Sequence, residues 1–433
     1  MNQRSKGVLY ILVGAAAAGV YLEVKHHEHE GTLYGPSSSA TASQSNGATP
    51  SASPPSSATT SAATGTTSAP PPQAQELKAS DVQALHDAIG DRVRKGASDA
   101  GSPWAMAHGL IAFGKDFKAS DGQDAVDAIA KLLVLDTGAS GKPTWQFPPG
   151  SPAAPSEPHP HLIVDVLLQV GVSPSRELTT QTGRKISLQT LIDQALRDAK
   201  DPTTEPEWID SPWLLDLLTR TAKGKNRATR LAPVVWEQLS KQTQLIADYR
   251  GAPERAFANG TPLFEAKRNK TQIYGHHCGG LHFMQAALSL EASVKAEPQG
   301  VAPELDRLLK RIALERSTYN ALDAQTQGTP AARLLLVQEL KFFGHSAETL
   351  GLARELELYD PTTNEGKRLD AALRALAWDL KRVFDGLEQD SAYKQLDAIK
   401  SERVQTYLDL IGDGCHAMRG LKRALPAFDQ TAK

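Results

Sequence analysis

Beyond residue 76, apolar residues recur at intervals of three and four, the spacing that lines one face of an α-helix. No run of alternating apolar and polar residues bounded by hairpin turns stands out, so strands are not expected. The pattern therefore predicts an all-α body of about twelve helices. We expect these helices over residues 80–96, 103–115, 122–135, 159–171, 187–200, 209–222, 228–249, 274–295, 303–323, 330–357, 364–388 and 398–424.

The expected helices are of two kinds. One group is apolar on nearly all sides and carries glycine or histidine within the helix: 105–114, 162–171, 275–288, 340–351 and 408–421. Others, such as 303–323 and 364–388, have a charged face and an apolar face. Because helices that are apolar all round are buried, the alternation predicts an inner ring wrapped by an outer amphipathic ring, an α/α toroid. A stacked α-solenoid is the main alternative, although no repeat of fixed length is visible.

The first 25 residues have the order of an export segment. Arg4 and Lys6 precede an uncharged apolar run, 7–22, which is followed by charged residues and histidines. This order predicts a signal anchor or a cleaved signal peptide over 1–25. As a helix the run rises about 24 Å, less than the roughly 30 Å hydrocarbon core, so an anchor needs locally thinned lipid. The domain is then periplasmic and tethered to the inner membrane, or secreted if the segment is cleaved.

Composition divides the rest of the chain. Residues 26–75 are rich in Ser, Ala, Thr and Pro, which predicts a disordered linker, and 76–433 form the helical domain. Lys and Arg number 47 against 49 Asp and Glu, for a formal charge of -2. No basic run with interleaved aromatic residues is present in the sequence, so nucleic acid is not an expected partner.

The stretch 275–284 (GHHCGGLHFM) is the richest in chemistry, with three histidines and one of the two cysteines. Cys278 and His282 stand four apart, so on a helix both project from one face and can share a metal ion such as zinc. A third ligand would come from His108, His161, His276 or the Cys415-His416 pair. Packed histidines without metal are one alternative. A Cys278–Cys415 disulfide is another, since an exported domain meets an oxidising environment.

A second candidate site is His345 with Glu348. The two are three residues apart on one helical face, which makes a catalytic acid–base pair geometrically possible. Trp208, Asp210 and Trp213 offer aromatic surface and a carboxylate for a sugar. Together the candidate pocket residues are His108, His161, His276, His277, His282, Trp208, Asp210 and Trp213, and the candidate metal ligands are Cys278, His282, Cys415 and His416.

In its layout of helices the chain resembles the α/α-toroid proteins: the terpene-cyclase and prenyltransferase barrels, the lanthionine-cyclase-like barrels and the sugar 2-epimerase barrels. Cys278-Gly279-Gly280-Leu281-His282 resembles a Cys-Gly-Gly-x-His segment of uncharacterised exported bacterial proteins. The lanthionine-cyclase-like resemblance implies zinc on Cys278 and the Cys415-His416 pair. The Gly344-His345-Ser346-Ala347-Glu348 segment is similar to a Gly-His-x-x-Glu segment of the sugar 2-epimerases, which implies catalysis by His345 and Glu348.

These observations predict an exported, membrane-tethered protein that binds a ligand or acts as a scaffold in the bacterial cell envelope. Its expected partners are the membrane, through the N-terminal segment, and a carbohydrate or an envelope protein. The alternative is a toroid enzyme. It would be a sugar epimerase, isomerase or other carbohydrate-active enzyme using His345 and Glu348, or a zinc protein using Cys278, His282, Cys415 and His416.

Overall fold

The computed structural model describes residues 77–137, 143–151, 154–247, 263–294 and 300–428. This part of the chain is mostly helical, which confirms the all-α class. The first half contains α1 Ala79–Ala97, α2 Pro103–Phe113, α3 Ala125–Ala130, α4 Leu162–Gln169, α5 Leu188–Asp198, α6 Glu205–Ile209, α7 Pro212–Arg220 and α8 Lys225–Ala247. The second half contains α9 Leu263–Arg268, α10 Leu281–Val294, α11 Val301–Thr326, α12 Ala331–Glu355, α13 Asn364–Gln389, α14 Leu396–Glu402 and α15 Val404–Ala424.

Helix starts follow the local chemistry of the sequence. At α2 the Ser102 side chain accepts a hydrogen bond from Ala105 N, and Pro103 occupies the first helical position. A serine cap satisfies a backbone N–H that the helix leaves without a partner, and proline has no N–H to satisfy. The α5 helix begins in the same way, with Ser187 accepting from Thr190 N.

Three short antiparallel hairpins show that the expectation of a body without strands is wrong. They pair β1 Val134–Asp136 with β2 Thr144–Gln146, β3 Gly150–Ser151 with β4 Ala154–Pro155, and β5 Glu177–Thr179 with β6 Lys185–Ser187. Strands of two or three residues are too short to establish an alternating pattern in sequence. The helix expected over 122–135 accordingly stops at Ala130 and gives way to β1.

Two more helix predictions are corrected by the structure. The helix expected over 274–295 starts only at Leu281, after two 3₁₀ turns, Gln272–Gly275 and His277–Gly280. The helix expected over 398–424 is divided into α14 and α15, which meet at Arg403. The helices α6 and α9 were not expected. The other predicted helices agree with the structure within a few residues at each end.

The pairwise packing of the buried helices positions the site. Helix α12 lies along α15, and α15 also packs against α1 and α2. Helix α2 contacts α4, which contacts α7; α7 contacts α10, which contacts α12. The helices α11 and α13 are amphipathic and pack against α12 from its other side. One continuous apolar core results, with α12 buried along almost all of its second half.

No helix among the described residues combines the length and the apolar character needed to cross a bilayer. The expected export segment 1–25 and linker 26–75 lie outside the described residues.

Candidate functional site

Close packing of α12 and α15 creates the floor of the site. A Cβ on Gly420 would lie 2.8 Å from Glu348 N and 2.9 Å from Gly344 O, so only glycine allows this approach of the two backbones. The approach brings side chains 68 residues apart into contact: His345 Nε2 lies 3.3 Å from Asp413 Oδ1, and His416 Nδ1 lies 2.8 Å from Glu348 Oε2. Two facing histidine–carboxylate pairs therefore lie between the helices.

A strained turn presents Cys278 to the same place. Cys278 has φ 49° and Gly279 has φ 60°, both in the left-handed region that side chains with a Cβ rarely adopt. The turn is held from behind by Arg311, whose Nη1 donates to the Gly279 carbonyl at 2.6 Å. Cys278 is therefore outside α10, and the prediction that Cys278 and His282 share one helical face is wrong. The turn brings their donor atoms together instead.

Four histidines from four helices converge at this point. The His345 and His416 ring centroids are 4.0 Å apart, and His282 lies 4.6 Å from His345 and 5.1 Å from His416. The ring of His108 lies 5.2 Å from that of His416. The Nδ1 atom of His108 is 2.8 Å from the Trp104 carbonyl, which leaves Nε2 as the nitrogen available to the cavity.

Two groups of three donors are compact enough to consider as metal sites. In the first, donor atoms of Cys278, His282 and His345 lie within 4.8 Å of one another, and the first two residues are partly exposed. In the second, His345, Glu348 and His416 meet the same distance limit but all three are buried. His345 belongs to both groups.

Burial keeps most of these imidazoles uncharged. It lowers the pKa of His108 to about 3, and it lowers the pKa of His282 well below the usual histidine value, with help from His345 and His416 in the second case. The pKa of His416 is lowered too, because burial and His345 outweigh the attraction of Glu348. A neutral imidazole is the form that binds a metal ion.

His345 is the exception. Burial by itself lowers its pKa, but the Cys278 sulfur and the Asp413 and Glu348 carboxylates outweigh burial and raise that pKa well above the usual value. The carboxylates are held in the charged form in turn: Lys341 and His345 lower the pKa of Asp413 against the effect of burial. This part of the site attracts positive charge.

A cavity of about 180 Å³ opens in front of the first donor group. Cys278, His282 and His345 line it, together with His108 and His416. Its walls also include Trp104, Trp213 and the ion pair of Lys341 with Asp409, whose Nζ and Oδ1 are 3.0 Å apart. A proline-rich segment, residues 154–160, covers one side through Pro155, Pro158 and His159. The cavity is large enough for water and a small organic molecule.

The other expected pocket residues are distributed differently. Trp213 lines the cavity and stacks on His159 at 4.1 Å, and His277 lines it while its Nε2 lies 2.9 Å from Asp210 Oδ1. His276 and Trp208 point away from the cavity and pack against Phe283. His161 lines a separate cavity on the far side of the proline-rich segment.

Cys415 lies outside both donor groups, although His416 next to it belongs to one. It is fully buried, and burial raises the pKa of its thiol well above the usual value. Both cysteines are free thiols, so the structure contains no Cys278–Cys415 disulfide within its described residues.

The pair His345 and Glu348 is adjacent, with Nδ1 and Oε2 3.6 Å apart, but both side chains are almost completely buried. Glu348 also accepts from Gln285 at 3.2 Å and lies 3.3 Å from Arg419. These contacts tie its carboxylate to protein groups. The arrangement suits a residue that orients His345 and His416 better than one that touches a substrate.

Sequence reasoning missed Lys341 and His159 as site residues. Lys341 lies one helical turn before His345 on α12, the i,i+4 spacing that places two side chains on one face. His159 belongs to the irregular proline-rich segment, where no periodicity indicates which side chains point inward.

The geometry defines a class of site: a histidine-rich cluster with one thiol, sunk between packed helices and open to a cavity. No protein-family model, curated protein or solved structure matches this chain significantly.

Proposed function

We propose that the cavity holds a transition-metal ion, best matched by Zn²⁺, bound by Cys278, His282 and His345. The observation that carries the proposal is the mutual approach of these three donor atoms, all within 4.8 Å, at the wall of a cavity. Ligand atoms in a tetrahedral zinc site lie roughly 3.6 Å apart, as follows from metal–ligand distances of about 2.0–2.3 Å. A small closing movement of the side chains, with release of the proton that His345 carries, would complete the site.

The second donor group is less suitable for a cation. His345, Glu348 and His416 are sealed in the core, and the Arg419 and Arg423 guanidinium groups lie 3.3 and 3.7 Å from the Glu348 carboxylate. A metal ion there would meet two fixed positive charges. Glu348 is better placed as an outer partner, because a carboxylate that hydrogen-bonds a histidine sets the orientation of its ring.

Three protein ligands leave one position of a tetrahedral metal ion free. Because the three residues line the 180 Å³ cavity, a ligand at the free position would come from that cavity. Such openness is typical of zinc sites that bind a ligand or activate water and not of closed structural sites. We infer that the protein binds a small polar molecule through the metal. Polarisation of that molecule, or attack on it by metal-bound water, is the chemistry available to an enzyme built on the site.

We further propose that the buried helices form the inner ring of an α/α toroid. The support is that their contacts make a closed cycle: α2 with α4, α4 with α7, α7 with α10, α10 with α12, α12 with α15, and α15 with α2. The site lies where members of this cycle meet. Export and tethering by 1–25, with a carbohydrate or envelope-protein partner outside the cytoplasm, remain part of the proposal on the basis of sequence.

Metal content tests the proposal directly. Full-length protein purified without a histidine tag and stripped with a chelator should take up one equivalent of Zn²⁺ in calorimetry. Co²⁺ should produce a thiolate-to-metal charge-transfer band. Cys278→Ser should abolish that band and weaken binding at least about 10-fold, since a hydroxyl is a poor substitute for thiolate.

The chain offers a matched control in its other cysteine. Cys415→Ser should keep the stoichiometry and the band, because Cys415 lies outside both donor groups. Absence of metal uptake by the wild type would refute the proposal. If Cys415→Ser loses the charge-transfer band while Cys278→Ser keeps it, the metal is bound by Cys415 and not by Cys278.

A second function is favoured by the turn at Cys278. A thiol in a left-handed conformation just before the start of α10, beside His345 and Asp413, has the components of a cysteine nucleophile, its base and an orienting carboxylate. Alkylation of Cys278 distinguishes a role as metal ligand from a role as nucleophile. Rapid labelling of Cys278 by iodoacetamide that Zn²⁺ does not slow would favour the nucleophile, whereas protection by stoichiometric Zn²⁺ would favour the metal site.

A further inference from the structure

The far side of the proline-rich segment holds a second cavity, of about 100 Å³. It shares no lining residue with the metal cavity. The segment has two faces: Pro158 and His159 line the metal cavity, while Glu157 and His161 line the second one. The two cavities are therefore separate sites on either side of one stretch of chain.

The second cavity is mostly apolar. Its walls come from α3, α4 and α5 and from the strands beside them, and include Ile129, Leu133, Trp145, Leu167, Leu178 and Leu191. An apolar cavity of about 150 Å³ stays dry and binds benzene. At about 100 Å³ the second cavity is smaller, so its ligand has at most one aromatic ring or a short alkyl chain. Apolar walls with a few convergent polar groups are typical of small-molecule sites.

Two polar side chains in the wall of this cavity, Glu157 and His161, would orient a bound ligand. Glu157 Oε1 accepts a hydrogen bond from Ile163 N at 3.0 Å, which leaves Oε2 without a hydrogen bond among the described residues. Gln194, which also lines the cavity, is fully used by the Trp145 backbone, through two hydrogen bonds of 2.7 Å. Two further polar lining residues are also bound to neighbours: Gln146 donates to Asp136, and both carboxylate oxygens of Asp198 accept from Arg197. Glu157 and His161 are thus the polar groups positioned to contact a ligand.

The backbone of His161 supports the same conclusion. It has φ 68°, a left-handed conformation in a residue that is not glycine. Such conformations carry strain and cluster at ligand sites, where the surrounding structure fixes a side chain in place. Here the residue in the left-handed conformation directly precedes α4 and lines the second cavity.

From this geometry we infer a second binding site, for a small neutral molecule with one aromatic ring or short alkyl chain and a single hydroxyl group. The apolar walls take the ring, and the hydroxyl donates to Glu157 or accepts from His161. A carboxylate on the ligand is disfavoured because Glu157 and Asp198 both line the cavity.

Three matched probes test the site on the full chain: benzyl alcohol, toluene and benzoate, measured by calorimetry and ligand-observed NMR. Benzyl alcohol should bind saturably with a dissociation constant of about 1 mM, as expected for a ligand of this size. Toluene should bind about 3- to 10-fold more weakly, and benzoate more weakly still. A chelator should leave these values unchanged, so the result is independent of the metal proposal.

Two variants and one control localise the binding. Ala195→Leu fills the cavity and should weaken benzyl alcohol binding at least about 10-fold. The control, Ala199→Leu, changes the residue that directly follows the same helix, outside the cavity lining, and should not weaken binding. Glu157→Leu should remove the preference for benzyl alcohol over toluene while the far-ultraviolet circular dichroism stays unchanged. The inference fails if benzyl alcohol does not saturate below about 20 mM, if Ala195→Leu binds like the wild type, or if toluene equals benzyl alcohol in the wild type.

Discussion

Arg311 holds the one left-handed turn on which the proposed metal site depends. Its Nη1 donates to the Gly279 carbonyl, and its guanidinium lies over the rings of Tyr274 and Phe342 at 4.6 and 5.1 Å. A Cβ at position 279 would lie 2.5 Å from the Arg311 guanidinium. The close contact between the turn and Arg311 therefore requires glycine at this position. The position of Cys278 is thus set by a residue that does not contact the cavity.

Arg311→Gln should therefore loosen the turn and weaken Zn²⁺ binding about 10- to 100-fold, the usual effect of removing an outer partner of a metal site. Arg316→Gln is the control: Arg316 lies on the same helix and pairs with Asp379 at 2.6 Å, away from the turn. Both variants should lose stability in urea unfolding, but only Arg311→Gln should lose metal affinity. Equal affinities for the two variants would show that the turn is held by other contacts.

Glu157 gives a prediction about pH. Burial raises the pKa of its carboxyl to about 7, against the effect of the hydrogen bond from Ile163. The unfolded chain loses this proton near pH 4.5, so the contribution of Glu157 to stability is complete below pH 4.5 and is lost as the pH rises through 7. Glu157→Gln cannot ionise.

Relative to the wild type, the Glu157→Gln variant should consequently gain stability between pH 5 and pH 8, by about 1–2 kcal/mol. Urea unfolding of both proteins at the two pH values measures this difference. A constant difference across the range would mean that Glu157 is ionised in the folded protein at pH 5.

At the scale of single residues, the sequence identified many of the side chains that form the site but not where each of them lies. Histidines 108, 282, 345 and 416 were all expected in the pocket or in a candidate site, and they do converge. The turn at Cys278 was not foreseen, because two glycines in an apolar segment look the same whether they let helices pack closely or adopt positive φ. His161 was misplaced for a related reason: only the backbone conformation shows which cavity it lines.

Among the helices, the pairing of α12 with α15 carries the largest structural demand. Gly344 and Gly420 face each other's helices, and a Cβ at either position would lie within 3.2 Å of the partner helix. Overpacking at such a contact must separate the backbones, since no flexible side chain can move aside. The contacts of His345 with Asp413 and of Glu348 with His416 depend on that separation.

Gly420→Ala should destabilise the protein by about 1–3 kcal/mol and lengthen both contacts. Gly386→Ala on α13 is the matched control, because its new Cβ would meet only the Leu336 side chain, which can turn away. That control should be neutral or slightly stabilising, since alanine favours helix over glycine. Thermal unfolding of the two variants decides the matter; equal losses would contradict the proposed close contact.

The hairpins mark the limit of sequence reasoning at the level of elements. Long amphipathic helices such as α11 and α13 were predicted to within three residues at each end, because many turns repeat the same pattern. The strand β5 has only Leu178 buried between two exposed residues, which is too little to distinguish it from a loop. Its pairing with β6 places Leu178 opposite Ile186, and both side chains belong to the apolar core.

At the scale of the whole molecule, the proposed metal ion would join three separate parts of the fold: the turn before α10, α10 itself and α12. A ligand that binds the folded state alone stabilises it in proportion to its affinity. Zn²⁺ at a thousand times its dissociation constant should therefore raise the free energy of unfolding by about 4 kcal/mol. The gain should disappear in Cys278→Ser and persist in Cys415→Ser, as followed by urea unfolding with and without chelator.

The periodicity of apolar residues predicted the all-α class, but it could not predict which helices contact one another. Which helices touch is decided by side chains far apart in the chain, such as Gly420 against Gly344, and a single sequence does not show that pairing. The proposal of a toroid consequently rests on the cycle of helix contacts and not on the apolar pattern that first suggested it.

The residues of the site lie far apart in the chain, so the site forms late in folding. Its histidine–carboxylate contacts join positions 68 residues apart, so they form only after distant segments have found each other, which is a slow step in folding. Until then the Cys278 sulfur and its neighbouring imidazoles have no protecting cavity. A newly made chain is therefore open to oxidants and stray metal ions during that interval, and a chaperone that shields it would raise the yield of folded protein.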